Sequence, residues 1–225
     1  MKLNVSIFIC LLISFLFLSC SVSKEIIEDY HTDTYNDRMK HFADYPLLGG
    51  EIVFFGNSLT QGGKWGEYFP HADIVNYGIS GDNTEGMLAR IADAVGVKPG
   101  KIFIMAGIND ISLSRSDKKI LHNYREIIKQ IRVTSPQTKI YIQSVLPINN
   151  DFAVYKRLKS KEERIVPINR KLLRLASDED VEFVNLYPFF VDQEGKLFKN
   201  YTYDGLHLTD EAYYLWSNII RNKVE

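Results

Sequence analysis

Cysteine is almost absent from this chain of 225 residues, which contains two, Cys10 and Cys20. A disulfide framework or a cysteine-based metal cluster cannot be made from that pair. An excess of one charge is missing too: 27 Lys+Arg stand against 28 Asp+Glu, for a formal net charge of −1. Nucleic acid, as a polyanionic partner, calls for a basic surface that this balance does not supply. No unbroken apolar run reaches the about 20 residues of a membrane-spanning helix. The most apolar segment, residues 5–18, is 14 residues long and interrupted by Ser6 and Ser14. Internal repeats and long linkers are also lacking. His31, His41, His71 and His122 show no metal-ligand spacing. They read as surface or packing residues, and neither metal nor cofactor is expected. What remains is ordinary globular composition, 45% hydrophobic and 24% charged, long enough to bury a core without staples.

Lys2 precedes the apolar segment, whose length suits the hydrophobic region of a secretory signal. It ends at Leu18-Ser19-Cys20-Ser21, which resembles the lipobox of bacterial lipoproteins, with Phe17 where leucine is commoner. The resemblance implies removal of residues 1–19, a lipid anchor on Cys20, and export to the bacterial cell envelope. Plain cleavage and secretion is the alternative. The mature chain would have 225 − 19 = 206 residues, a net charge of 26 − 28 = −2 and no internal disulfide. Residues 20–50 read as a tether and an N-terminal helix. That helix is expected over residues 28–44, with Tyr35, Met39 and Phe42 on one face and Leu48-Gly49-Gly50 ending it. Residues 51–225 read as the main domain.

Five apolar runs recur along that domain, at residues 52–55, 74–77, 102–105, 140–145 and 183–186. They are rich in β-branched and aromatic residues and apolar at nearly every position. This is the pattern of strands buried on both faces of a parallel sheet. Helical patterns lie between them at residues 84–95, 117–134 and about 161–176, with a last one at 210–224. The second places Ile120, Leu121, Tyr124, Ile127, Ile128 and Ile131 on one stripe behind a Ser116 cap. In the last, Ala212, Leu215, Trp216, Ile219 and Ile220 face inward behind Thr209. Alternating strands and helices predict an α/β fold with a parallel sheet.

Ligands of open parallel sheets bind beyond the carboxyl ends of the strands. Four segments fall there: Gly56-Asn57-Ser58-Leu59-Thr60, Gly78-Ile79-Ser80-Gly81-Asp82-Asn83-Thr84, Gly107-Ile108-Asn109-Asp110 and Asp204-Gly205-Leu206-His207-Leu208-Thr209. Ser58 is a candidate nucleophile, which needs a neighbouring base because a serine hydroxyl is nearly inert at neutral pH. His207 is the candidate base. Asp204, three residues earlier, can hold the imidazole in one tautomer and stabilise the imidazolium. The backbone N–H groups of Ser58 and Gly81 and the Asn109 amide are candidate oxyanion donors. Gly81, without a Cβ, lets the backbone approach a substrate. Each segment alone is commonplace as a turn, cap or surface pair; together, at four strand ends, they are not. Gly62-Gly63-Lys64 fails as a P-loop, since Ser58 replaces the required glycine and Trp65 the Ser/Thr. Gly56-x-Ser58 fails as a nucleophile elbow, since Thr60 replaces the second glycine. The mixed-sign run at 156–164 reads as solvated, with a place at the rim of the site open to it. Tyr201 and Tyr203 read equally as a pocket wall or as core.

This set resembles the SGNH hydrolases, the GDSL-type esterase family, over residues 51–225. Ser58, Gly81, Asn109 and His207 fall on the four marker positions, with Asp204 as the triad acid. Asn57 departs from the aspartate of the family's name-giving motif, which bears on loop geometry. The resemblance implies a flavodoxin-like three-layer α/β/α sandwich with strand order 2-1-3-4-5. It also implies a serine esterase acting through Ser58, His207 and Asp204, with an oxyanion hole at Ser58, Gly81 and Asn109. A small acyl ester, acetyl above all, on an O-acetylated glycan is the expected substrate. A lysophospholipase or thioesterase is the alternative enzyme, and a catalytically silent glycan-binding surface protein the alternative of another class.

Overall fold

Val53, Phe54 and Phe55 have no exposed surface at all. Such a run is stable only where both faces of a strand are covered, and the chain provides that cover. A computed structural model describes residues 30–225; the expected signal segment, Cys20 and the tether lie outside them. The five strands are β1 (Ile52–Gly56), β2 (Ile74–Gly78), β3 (Lys101–Met105), β4 (Lys139–Gln143) and β5 (Glu182–Val184). They form one sheet in the order β2-β1-β3-β4-β5, parallel throughout. The three-layer sandwich and its strand order are therefore as expected.

Alternate residues sort between two cores. Val53, Phe55, Ile102 and Ile104 face one layer, formed by α1 (Asp33–Asp44), α4 (Thr84–Val95), α6 (Asp117–Thr134) and α7 (Ile165–Asp178). Phe54 and Phe103 face the other, which holds α2 (Ser58–Gln61), α3 (Trp65–Tyr68), α8 (Tyr187–Phe190) and α9 (Asp210–Val224). A short α5 (Ile108–Ser112) follows β3. Rings stack across neighbouring strands in the second core, Phe54 on Phe103 at 5.0 Å and Phe103 on Tyr141 at 4.5 Å. Trp65 and Trp216 meet edge to face beside them, 5.0 Å between ring centroids. Each fully buried side chain of this size contributes about 1.5–3 kcal/mol.

Helix ends follow local chemistry. The expected stripe on α6 is buried behind its Ser116 cap, with Leu121 at the margin. The first helix begins at Asp33 instead of residue 28, because extended Thr32 caps it by accepting from the Tyr35 N–H. It ends at Asp44, before the glycines, because Pro46 disfavours helical geometry at Tyr45. The helix expected from residue 161 begins at Ile165. Pro167 has no N–H to donate and is tolerated only in a first turn. Ahead of it, Ser160 takes a left-handed φ of 58°. The fourth strand stops at Gln143 because Asn169 takes over the backbone of Val145, accepting its N–H and donating to its carbonyl. The expected strand 183–186 runs as Glu182–Val184; Leu186 donates its N–H to Ser144 Oγ instead of joining the ladder.

Candidate functional site

Ser58 opens α2 directly beyond β1. Asn57 caps this one-turn helix, its side-chain oxygen accepting from the Leu59 N–H at 3.0 Å. The departure at Asn57 thus falls on a capping position. Such a short helix does not hold itself together, and its far end is fastened by other elements. Asn76 of β2 donates to the carbonyls of Thr60, Gln61 and Gly63, and Trp65 Nε1 donates to Thr60. Tyr213 of α9 donates to the Leu59 carbonyl at 2.8 Å. Gly78 is needed here because a Cβ on it would lie 2.3 Å from the Gln61 nitrogen.

Asp204 and His207 sit in the loop before α9. An isolated antiparallel bridge between Thr202 and Leu208 closes this loop. Asp204 Oδ1 accepts from the backbone N–H groups of Leu206 and His207, at 2.9 and 2.7 Å. That turn aims Oδ2 at the imidazole, and His207 Nδ1 donates to it at 2.7 Å. With its proton on Nδ1, the ring presents Nε2 as an acceptor, 3.0 Å from Ser58 Oγ. Burial works against ionisation of Asp204. Hydrogen bonds from the His207 side chain and backbone, Tyr155 and Leu206 outweigh it and hold the carboxyl below its ordinary range.

Tyr155, in the segment between β4 and α7, was not singled out by any motif. Its hydroxyl lies 2.7 Å from Asp204 Oδ2 and 2.9 Å from His207 Nδ1. The one pointer in the sequence is position: it directly precedes the mixed-charge run that follows the fourth strand. In that run Lys156 and Lys159 are exposed and share a cleft with Tyr155. Lys161 and Arg164 instead tie back to the carbonyls of Ser112 and Arg115. Tyr203 is 66% exposed and stacks on His207 at 6.1 Å, a wall of the opening. Tyr201 packs against Phe190 and Phe198.

Gly81 adopts φ of +82°, where an L side chain is strained, and a Cβ there would meet nothing within 4 Å. Asn109, on α5, donates to the Asp82 carbonyl at 2.7 Å, which sets its amide against the Gly81 loop. Beneath that loop lies a buried ion pair. Arg90 of α4 donates to Asp82 Oδ2 at 2.8 Å, to the Tyr77 carbonyl at 2.8 Å and to the Gly56 carbonyl at 2.9 Å. It thereby joins the ends of β1 and β2 to the turn that carries Gly81. Burial pushes the Asp82 carboxyl up to about 6, against the pull of Arg90. Asp110 is likewise pushed up by burial while accepting from the Thr84 hydroxyl and N–H. Asp82, Thr84 and Asp110 lie in the segments that the sequence singles out, whereas Arg90 belongs to no motif.

One chain therefore runs from Asp204 through His207 to Ser58, and the Asn109 amide is held against the turn that carries Gly81. Such an arrangement can draw a proton from a serine hydroxyl as it attacks a carbonyl. Residues 54–215 match the GDSL-like lipase/acylhydrolase family. The platelet-activating factor acetylhydrolase IB subunits alpha1 of Pongo abelii and Homo sapiens are each 25% identical over 169 residues, 72% of this chain and 70% of theirs. A Streptococcus pneumonia protein solved under the name of a platelet activating factor superposes with a TM-score of 0.75 at 30% identity, covering 85% of this chain and 92% of its own. A GDSL-like lipase of Bacteroides thetaiotaomicron gives 0.74 at 24% identity, over 84% and 96%, a likeness of fold. With a family match across most of its length and a relative at 30% identity, the chain belongs to the GDSL-like lipase/acylhydrolase family and is an ester hydrolase.

Proposed function

We propose that the protein removes small acyl groups, acetyl foremost, from carbohydrate esters through an acyl-enzyme on Ser58. The supporting observation is the unbroken hydrogen-bonded path Asp204–His207–Ser58, at 2.7 and 3.0 Å. Ser58 Oγ attacks the ester carbonyl carbon and passes its proton to His207 Nε2. The carbonyl oxygen, now an oxyanion, accepts from the N–H groups of Ser58 and Gly81 and from the Asn109 amide. The amide has two hydrogens, of which one is engaged by Asp82 at rest. Collapse expels the alcohol, protonated by His207. Water, deprotonated by the same imidazole, then releases the acid and restores Ser58. Asp204 stays ionised throughout and orients the ring.

Acetyl is favoured because curated relatives are named acetylhydrolases. The flat, exposed face of Tyr203 beside His207 suits a sugar alcohol. A p-nitrophenyl ester series from acetate to palmitate, run beside acetylated xylan and acetylated sialic acid, tests this. Acetate should be the best ester and at least one acetylated glycan should be cleaved. A maximum at long chains would favour a lysophospholipase or thioesterase, and no turnover of any ester a silent binding protein. Export and anchoring through Cys20 complete the proposal.

A further inference from the structure

The carboxylate of Asp204 has about four lone-pair sites, and all are engaged. Oδ1 takes the N–H groups of Leu206 and His207; Oδ2 takes His207 Nδ1 and the Tyr155 hydroxyl. An ionised carboxylate has no hydrogen, so the Tyr155 hydroxyl is the donor. Its own lone pairs then face the Nδ1–H, 2.9 Å away. Oδ2, Nδ1 and Oη form a triangle, and the negative charge of Oδ2 is divided between two donors.

Tyr155 comes from a part of the chain remote from both loops. Three short 3₁₀ turns carry it, at Asn150–Phe152, Lys156–Leu158 and Glu162–Arg164. Left-handed φ values at Ala153 and Ser160 bend the backbone between them. The segment is anchored where it meets the site: the Asn149 N–H donates to the Gly205 carbonyl at 2.8 Å, beside Asp204. Tyr203 also stacks on His207, with 6.1 Å between ring centroids, and Ser58 faces Nε2 from α2. Neither reaches Asp204 Oδ2 by a hydrogen bond.

We propose that Tyr155 is a positioning residue whose hydroxyl fixes Asp204 Oδ2 and, by drawing on its charge, limits how strongly Asp204 supports the protonated form of His207. This rests on the reading of Ser58, His207 and Asp204 as the catalytic chain. Burial and the bond to Asp204 both push the phenol upward, so it remains a donor through neutral pH. Removing the hydroxyl leaves the whole charge of Oδ2 to the imidazole and one lone-pair site empty. The protonated ring gains, and the acid form that cannot act as base persists to higher pH.

Tyr155→Phe keeps the ring and its packing. Using p-nitrophenyl acetate, kcat should fall about tenfold, the effect of losing one hydrogen bond to a charged group. The acid limb of kcat/KM should move upward by about half a pH unit or more. Independently of turnover, the Nδ1 proton of His207, followed by NMR in a Ser58→Ala background, should change its resonance when Tyr155→Phe is added. A loss of rate with an unmoved acid limb would reduce Tyr155 to packing and overturn the assignment, as would an unchanged Nδ1 resonance. Hydrolysis that survives Ser58→Ala would instead overturn the catalytic chain itself, so the two failures are distinct. If Tyr155→Phe unfolds, Tyr155→Leu supplies apolar bulk with no hydrogen-bond donor; an acid limb left where the wild-type enzyme has it would overturn the proposal.

Discussion

Arg90→Met replaces a buried guanidinium with a side chain that follows its aliphatic stem. Three acceptors lose a donor at once: Asp82 Oδ2, the Tyr77 carbonyl and the Gly56 carbonyl, of which the last keeps the Ile79 N–H at 3.0 Å. The carboxylate, left charged and buried, therefore carries most of the cost. Removing one member of a buried ion pair costs about 3–5 kcal/mol in all, mostly for the charge left behind. A loss of about 4 kcal/mol is therefore expected in urea denaturation, within the about 5–15 kcal/mol of a typical domain. The loss should depend on pH, with a definite sign. Asp82 already sits at about 6, above its ordinary carboxylate value, and Arg90 is what restrains it from going higher. Without Arg90 the folded carboxyl rises further, so the folded variant takes up a proton where the wild type does not. The stability gap should thus shrink as pH falls from the alkaline side toward about 6. Adding Asp82→Leu should recover about 1 kcal/mol or more, because no charge then remains unpaired. The ends of β1 and β2 lose their shared strut, so kcat should also fall about 10- to 100-fold by misplacement of Ser58 and Gly81. A stability change under about 1 kcal/mol, or one indifferent to pH, would refute this account of Arg90.

Ser58→Ala and His207→Ala should each lower kcat by roughly 10⁴ or more, and the double variant should be little worse than either. Multiplicative losses would mean the two do not act as a unit. Asn109→Ala should cost about 10²–10³ in kcat with KM little changed, measured on the acetate ester. Cys20→Ala should stop processing at that junction; the mass of the mature N-terminal peptide decides, and an unmodified N-terminus starting elsewhere would refute the anchor.

Continuous apolar runs and helix periodicity made the architecture legible. The unbroken burial of Val53, Phe54 and Phe55 and the α6 stripe from Ile120 to Ile131 are properties of contiguous sequence, and the caps Ser116 and Thr209 mark their own helices. The site was legible for a related reason: Asp204 and His207 belong to one turn, and strand order brings Ser58 within reach of that turn. Tyr155 and Arg90 were not. Tyr155 reaches His207 across 52 positions and Arg90 reaches Gly56 across 34. Contacts of that kind leave no period or spacing behind. The one-turn α2 was invisible because its form is imposed from outside, by Asn76, Trp65 and Tyr213.

Both tryptophans of the chain lie in the same layer, with ring centroids 5.0 Å apart. Intrinsic fluorescence is consequently a one-sided probe. It reports the layer carrying α9 and is blind to the one built from α1, α4, α6 and α7. Two indoles this close also couple as oscillators, so part of their near-ultraviolet dichroism is a joint signal that is lost when either moves. Trp65 donates to Thr60 in the one-turn helix that begins at Ser58, while Trp216 donates to Gln143 at the end of β4. The optical signal therefore reports from just beyond β1 and from the end of β4. A melt in which it is lost before the far-ultraviolet helix signal would reveal two layers that come apart in sequence, with the α9 layer the first to go.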